Sequence, residues 1–315
     1  MPKLNQYKEW NCSLRHIKPK LIQMLRIVPE ETQTKDLHQF LLGSIAPRPI
    51  AFVSTVDEEG NPNLAPYSFF NAFSSNPPVL VFSSNRRVAN NTTKDTLANV
   101  MSTKEVVINV VNHSIVRQMA VAAVEFSSDV NEFEKSGLTP VESECVKPYR
   151  VKESPVQMEC KVKEIVTLGE HGGAGHLIIC EVVMMHIDEN VVDENNRINP
   201  HKIDLMGRMG RAYYVRASGD AIQTIVQSVV EITIGFDKLP ESIQKSTVLR
   251  GNELGMLAGI TEVPSPEAIE EAKQDPMVME ALSNDNSREK LHEYIIELLK
   301  DPKNNTMKAA AVAWI

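Results

Sequence analysis

Pro47-Arg48-Pro49-Ile50-Ala51-Phe52-Val53-Ser54-Thr55-Val56 runs into Asp57-Glu58-Glu59-Gly60, and the chain continues Asn61-Pro62-Asn63-Leu64-Ala65-Pro66-Tyr67-Ser68-Phe69-Phe70-Asn71. The apolar and β-branched run over 50–56, closed by a cluster of turn formers, reads as a strand entering a hairpin. Pro66 cannot donate to a sheet ladder and biases Ala65 toward an extended conformation. The chain over 65–71 is therefore expected to leave regular pairing and present free backbone groups, which a flat heteroaromatic ring can use. Further strands are expected at 79–83, 106–111, 156–168 and 176–187, with helices near 95–102 and 113–124 between some of them. Strands and helices do not alternate regularly, so a doubly wound parallel sheet is disfavoured and a mainly antiparallel barrel is expected.

The 315 residues exceed a typical single domain and can bury a substantial core. Hydrophobic residues make up 42% and charged residues 23%, far from the signature of disorder. A net charge of −8 repels phosphate backbones and anionic membrane surfaces, which argues against nucleic acid and membrane as partners. A small anionic ligand stays compatible, because a few local cations and backbone N–H groups hold a phosphate against an unfavourable global field. The four cysteines, Cys12, Cys145, Cys160 and Cys180, contain no C-x-x-C pair, and the eight histidines show no close metal spacing. No metal site is expected, and a reducing cytoplasm fits. The stretch over 21–28 is broken by Gln23 and Arg26, so neither a leader nor a membrane span is read there.

Three segments follow from composition. Residues 1–35 carry Pro2, Pro19 and Pro29 and show no clear period, so an N-terminal arm of marginal order is expected. Residues 36–219 form the main domain. Residues 220–315 form a helical extension: Leu291, Tyr294, Ile295 and Leu298 share one face of a helix over 287–300, and Ser265 caps a second over 266–273 with Pro266 at its first position. That apolar stripe reads as ordinary packing. The loop Gly169-Glu170-His171-Gly172-Gly173-Ala174-Gly175 lies between two expected strands and not before a helix, so it is a flexible hairpin and no dinucleotide fingerprint.

Chemistry concentrates between 47 and 96. The strand Val79-Leu80-Val81-Phe82 ends in Ser83-Ser84 and leads to Arg86 and Arg87, hydroxyls and guanidinium groups that suit a phosphate. Thr92-Thr93-Lys94-Asp95-Thr96 follows, where Thr93 or Asp95 caps a helix whose first N–H groups, beside Lys94 and Thr96, make an anion site. Taken singly, each piece has a plain reading: a helix cap, a turn at a strand end, and for Arg48 a solvated side chain between prolines.

In this order the segments resemble the flavin reductase-like family. The similarity continues through 129–138, Ser154-Pro155-Val156-Gln157-Met158-Glu159-Cys160, Gly175-His176-Leu177-Ile178-Ile179-Cys180-Glu181 and Gly207-Arg208-Met209-Gly210-Arg211-Ala212-Tyr213-Tyr214. The resemblance implies a mainly β, Greek-key-like antiparallel split β-barrel that binds FMN, with short helices, and a homodimer with the flavin near the subunit interface. By the same resemblance, Ser54, Thr55, Asn63 and the backbone of Ala65, Pro66, Tyr67, Ser68, Phe69 and Phe70 border the isoalloxazine and ribityl groups. Ser83, Ser84, Arg87, Lys94 and Thr96 hold the phosphate, while Asn71 at the ring edge and His176, Arg211 and Tyr213 are further cofactor contacts. The region beyond Tyr213 departs from the minimal family pattern.

The implied activity is an NAD(P)H-dependent flavin reductase that passes hydride from nicotinamide to the flavin N5 and on to a quinone, a ferric chelate, oxygen or a partner monooxygenase. A flavin-binding electron carrier without NAD(P)H turnover of its own is the alternative, and a barrel doing structural work without flavin is a third reading. The catalytic-residue list is expected to be short, since the cofactor carries the electrons and the protein supplies position, electrostatics and shielding.

Overall fold

The computed structural model describes residues 24–225 and 231–315. It divides into two compact units, Met1–Ile222 and Gln223–Ile315. Most of the arm expected over 1–35 lies outside the described residues; a short 3-10 turn at Pro29–Glu31 precedes helix α1 (Thr34–Ser44).

In the first unit, strands β1 (Ala51–Val56), β2 (Pro62–Tyr67), β3 (Phe70–Ser75), β4 (Pro78–Ser83), β5 (Glu105–Val110), β8 (Val156–Thr167) and β9 (His176–Ile187) form one sheet in the order β2-β1-β5-β8-β9-β4-β3, with β6 (Pro140–Val141) paired to β7 (Arg150–Val151) apart from it. Every neighbouring pair is antiparallel. The two outer strands, β2 and β3, are consecutive in sequence and joined by Ser68 and Phe69 alone. Three residue steps hold their adjoining ends within roughly 10 Å. The sheet therefore curls back on itself while its edges stay unpaired, which is a split barrel.

The pattern over β1 explains its position. Ala51 and Val53 face the barrel interior with Phe82, Ile108, Ile178, Cys160 and Cys180. Ile50 and Phe52 face a second core with Leu64, Ile115, Met119 and Phe133, the last three supplied by residues in and around α3 (Val116–Ala122) and α4 (Glu132–Ser136). A strand buried on both faces reads as a continuous apolar run. Full burial of side chains such as Phe52 and Phe82 contributes about 1.5–3 kcal/mol each. Between β4 and β5, α2 (Asp95–Thr103) packs Leu97 and Val100 into the barrel.

Pro66 does not take its strand out of register as the sequence suggested. β2 pairs with β1 along its whole length, Pro66 opposite Phe52. Because β2 is an edge strand, a missing N–H on its outer side costs no ladder bond. Only Ser68 and Phe69 leave the pairing, and Phe69 O accepts from Ser83 N at 2.8 Å. The strand β3 was not legible in the polar run after Phe70. The glycine-containing loop after β8 is the expected hairpin, closed by Leu168 N donating to Gly175 O.

Beyond β9, a short helix α5 (Pro200–Ile203) leads to the hairpin β10 (Met206–Arg208) and β11 (Tyr214–Arg216). The second unit is helical: α6 (Glu241–Gln244), α7 (Gly251–Ala258), α8 (Pro266–Lys273), α9 (Pro276–Leu282), α10 (Ser287–Leu298) and α11 (Pro302–Ala313). Ser265 Oγ accepts from Ala268 N and Pro266 opens α8, as the cap pattern required. Leu291, Ile295 and Leu298 join a core with Leu257, Val278 and the small-residue run Ala309–Ala311 of α11. Asp275 ties three helices together. It caps α9 through Met277 N, accepts from Tyr294 Oη and pairs with Lys308 at 2.6 Å.

Candidate functional site

Two clefts of the first unit lie on either side of the link between β2 and β3. The first, about 470 Å³, is lined by Asn63, Ala65 and Pro66 of β2, by Arg87, Lys94 and Thr96, and by the segment after α3 with Glu125 and Glu132. The second, about 550 Å³ and mostly apolar, is bordered by Ser68, Phe69, Phe70, Asn71 and Ser83 together with α1.

Lys94 is the N-cap residue of α2, and no side chain caps this helix, so neither Thr93 nor Asp95 takes the expected role. The first-turn N–H groups have no capping acceptor, which leaves the positive end of the helix dipole available to an anion. The Lys94 ammonium stands 4.7 Å over the Tyr67 ring and has no carboxylate within ion-pair distance among the described residues. Burial lowers its pKa, the Arg87 charge lowers it further, and Glu125 opposes both. A cation so placed gains from an incoming phosphate what it lacks in the free protein.

Beneath Lys94 lie hydroxyls without partners. Tyr67 Oη and Ser84 Oγ are buried and form no hydrogen bond, and Ser54 Oγ is likewise unpaired but on the face of β1 opposite Thr55. Burial pushes the Tyr67 phenol up to about 12; the Thr96 and Ser84 hydroxyls beside it act the other way without closing a hydrogen bond of good geometry. Buried polar groups are normally satisfied, so two orphans beside an ammonium with no ion pair among the described residues and an uncapped helix make this a candidate binding site. Thr96 itself accepts from Asn63 Nδ2 at 2.8 Å, and Asn63 and Asn99 both donate to Thr55 Oγ1 at 3.1 Å. Arg87 is held by its own loop: it donates to Thr92 Oγ1 and Thr93 O and pairs with Glu125 at 2.8 Å.

The site residues expected from sequence thus fall into three groups, with Ser54 outside them, buried on β1 and lining neither cleft. Asn63, Ala65, Pro66, Arg87, Lys94 and Thr96 line the first cleft, with Thr55, Tyr67 and Ser84 directly behind it. Ser68, Phe69, Phe70, Asn71 and Ser83 line the second. Successive strand residues point to opposite faces, which parts Ser83 from Ser84 and Ser54 from Thr55. Ser83 Oγ turns to Asn85 Oδ1 at 2.7 Å. His176, Arg211 and Tyr213 line neither cleft: His176 is buried with Nδ1 at 3.1 Å from Ser84 O, and Arg211 and Tyr213 sit exposed at the β10–β11 turn.

Arg48 is the reverse of a solvated side chain. Only 4% exposed, it donates to Leu42 O and Ile45 O at the end of α1, to Met209 O and to Ser68 Oγ. An arginine that answers the free carbonyls of a helix end is satisfied inside the fold, whatever its proline neighbours suggest. Glu132 was missed as an individual residue. It is buried, and its Oε2 accepts from Leu64 N at 3.0 Å on the outer edge of β2. Its pKa lies above the ordinary glutamate value: burial raises it most, the Leu64 N–H and its own N–H act the other way, and Asp95 raises it again. The cap at Asn131, which accepts from Phe133 N, was the local sequence signal that placed Glu132 at a helix start.

The glycine-containing hairpin braces the Arg87 loop. Gly173 N donates to Arg86 O, Arg86 N donates to Ala174 O, and a Cβ on Gly172 would stand 2.9 Å from Val88 O. Backbone cannot yield as a side-chain tip does. Gly172→Ala is therefore expected to lower stability by about 1–3 kcal/mol through overpacking, read as a reduced urea midpoint with an unchanged slope.

Residues 42–212 match the family model of the flavin reductase like domain, more than half of the chain. The chain belongs to the flavin reductase-like family. The match lies within the first unit, and the helical unit falls outside it. An uncharacterized protein of Aquifex aeolicus is 41% identical over 196 residues, which span 62% of this chain and 97% of that protein. Among solved structures, nitrilotriacetate monooxygenase component B from Bacillus cereus is 34% identical with a TM-score of 0.60, covering 64% of this chain and 99% of its own. The 2-nitrobenzoate 2-nitroreductase NbaA of Pseudomonas fluorescens is 26% identical with a TM-score of 0.58, covering 66% and 99%. A putative flavin reductase with a split barrel domain from Shewanella frigidimarina is 25% identical with a TM-score of 0.55, covering 65% and 100%.

Proposed function

We propose that this protein is an NAD(P)H-dependent flavin reductase that binds FMN with its phosphate in the first cleft. One observation carries the assignment: an ammonium with no ion pair among the described residues, an uncapped helix start and two orphaned buried hydroxyls converge there, at Lys94, α2, Tyr67 and Ser84. That donor set suits a phosphate monoester. Lys94, the first-turn N–H groups, Thr96 and Ser84 would hold it, with Arg87 at the rim and Asn63, Ala65 and Pro66 along the sugar-like chain. When bound, FMN supplies the redox chemistry, taking hydride from the nicotinamide and yielding electrons to an acceptor.

Family membership and the name of the Bacillus cereus structure, a monooxygenase component, support delivery of those electrons to a partner monooxygenase. Exposed apolar residues on the barrel, among them Phe73, Met185 and Ile187, support pairing of two copies. Cys145, Cys160 and Cys180 are free thiols, which suits a reducing compartment such as the cytoplasm, and no helix among the described residues is long and apolar enough to cross a membrane.

The test is a visible spectrum of the purified protein after incubation with FMN, recorded without oxygen before and after NADH or NADPH. Bleaching of the bound-flavin bands on a turnover timescale is the expected result. A flavin that binds and stays oxidised with both donors would make the protein an electron carrier instead.

A further inference from the structure

Glu132 is a buried carboxylate with no cationic partner among the described residues, in a cleft whose other charges are mostly accounted for. Arg87 is paired to Glu125, and Asp95 accepts from Ser128 Oγ at 3.0 Å. Lys94 and Glu132 remain. One oxygen of Glu132, Oε2, takes the N–H of Leu64, a group that points off the free edge of β2 and would otherwise be orphaned. The carboxylate also borders the cleft, and no side chain among the described residues donates to its second oxygen. An ionised carboxylate offers acceptors only, so whatever fills the cleft beside it must present a donor. A phosphate dianion, itself an acceptor only, cannot do so. The two ends of the cleft are thus chemically opposite, one built for an anion and the other for an O–H or N–H group.

We infer that Glu132 accepts a hydrogen bond from the riboflavin portion of the bound nucleotide, through a ribityl hydroxyl or the ring imide N–H, and so fixes which way round the ligand lies. This rests on the flavin assignment above. The carboxylate serves two donors at once, Leu64 N–H within the fold and the ligand outside it. A glutamine in its place has a single acceptor oxygen. In the free protein that oxygen satisfies Leu64, so the fold keeps its bond, and the loss appears on binding, where an amide N–H₂ meets the ligand's donor.

The experiment compares wild type, Glu132→Gln, Lys94→Ala and Asn131→Ala, titrated with FMN, riboflavin and lumiflavin, the ring without its ribityl chain, alongside urea unfolding of the free proteins. Glu132→Gln is expected to keep the wild-type urea midpoint and to bind FMN and riboflavin about 10- to 100-fold more weakly, by the same factor for both. Lumiflavin affinity lowered as well assigns the contact to the ring imide; lumiflavin affinity unchanged assigns it to the ribityl hydroxyls. Asn131→Ala removes the cap of α4 and leaves the carboxylate in place, so it reports loosening of the helix alone, and it is expected to bind flavin as wild type does. Wild-type affinity for FMN in Glu132→Gln, or an equal loss in Asn131→Ala, overturns the inference while Lys94→Ala still reports on the phosphate grip. Absence of flavin binding by the wild-type protein would instead remove the underlying assignment.

Discussion

Lys94→Ala is expected to weaken FMN binding by about 10- to 100-fold while leaving riboflavin affinity close to wild type. The ammonium lies over the Tyr67 ring with no ion pair among the described residues, and its pKa is lowered by burial, so the free protein gains little from it. A phosphate ester supplies the missing charge in a partly dry site, where a charge-assisted hydrogen bond is worth about 1.5–3 kcal/mol. Riboflavin carries no phosphate and should not feel the change. Fluorescence titration of both ligands against both proteins checks it, and equal losses for FMN and riboflavin would show that Lys94 shapes the cleft without holding the phosphate.

The second large effect is on stability. Glu159, on β8, is fully buried and accepts from Glu144 N, Cys145 N at 2.6 Å and His186 Nε2 at 2.7 Å. Burial pushes its carboxyl upward, but the N–H groups of Glu144 and Cys145 and the His186 ring outweigh it, and the net pKa lies below the ordinary glutamate value of 4.5. Glu159→Ala would leave those donors without an acceptor and is expected to cost about 2–4 kcal/mol, seen as a lower urea midpoint at neutral pH. Because the folded-state pKa is depressed, the wild-type contribution is complete above about 4.5 and is lost as pH falls through the lower folded value. The variant should lack that acid-side component. A midpoint within about 0.5 kcal/mol of wild type would mean that the loop carrying Glu144 and Cys145 finds water at no cost.

Much of this was legible in the chain. The strand over 50–56 and its turn, the long hairpin strands around the glycine-containing loop, and α8 with its serine cap were set by local patterns that tertiary structure did not need to override. Lys94, Thr96 and Ser84 could be named as candidates because a strand end and a helix start bring short-range signals into one place, and the fold does gather them. What the sequence withheld depended on partners distant in the chain. The pairing of Pro66 is possible because β2 lies at an edge, a fact of sheet order that no local window contains. Arg48 looked exposed because its acceptors, Leu42 O and Met209 O, come from elements on either side of the barrel sequence. Glu132 drew no notice because its meaning lies in the Leu64 N–H, 68 residues away.

The link between β2 and β3 makes one ribbon of chain a party wall. Ala65 and Pro66 face one chamber, Ser68 to Asn71 face the other, and Tyr67, its ring buried behind the first, stands in the chain between them. Two occupants on opposite sides would be separated by the thickness of a single backbone, so a shift that accommodates one guest is, in the same atoms, a reshaping of its neighbour's room.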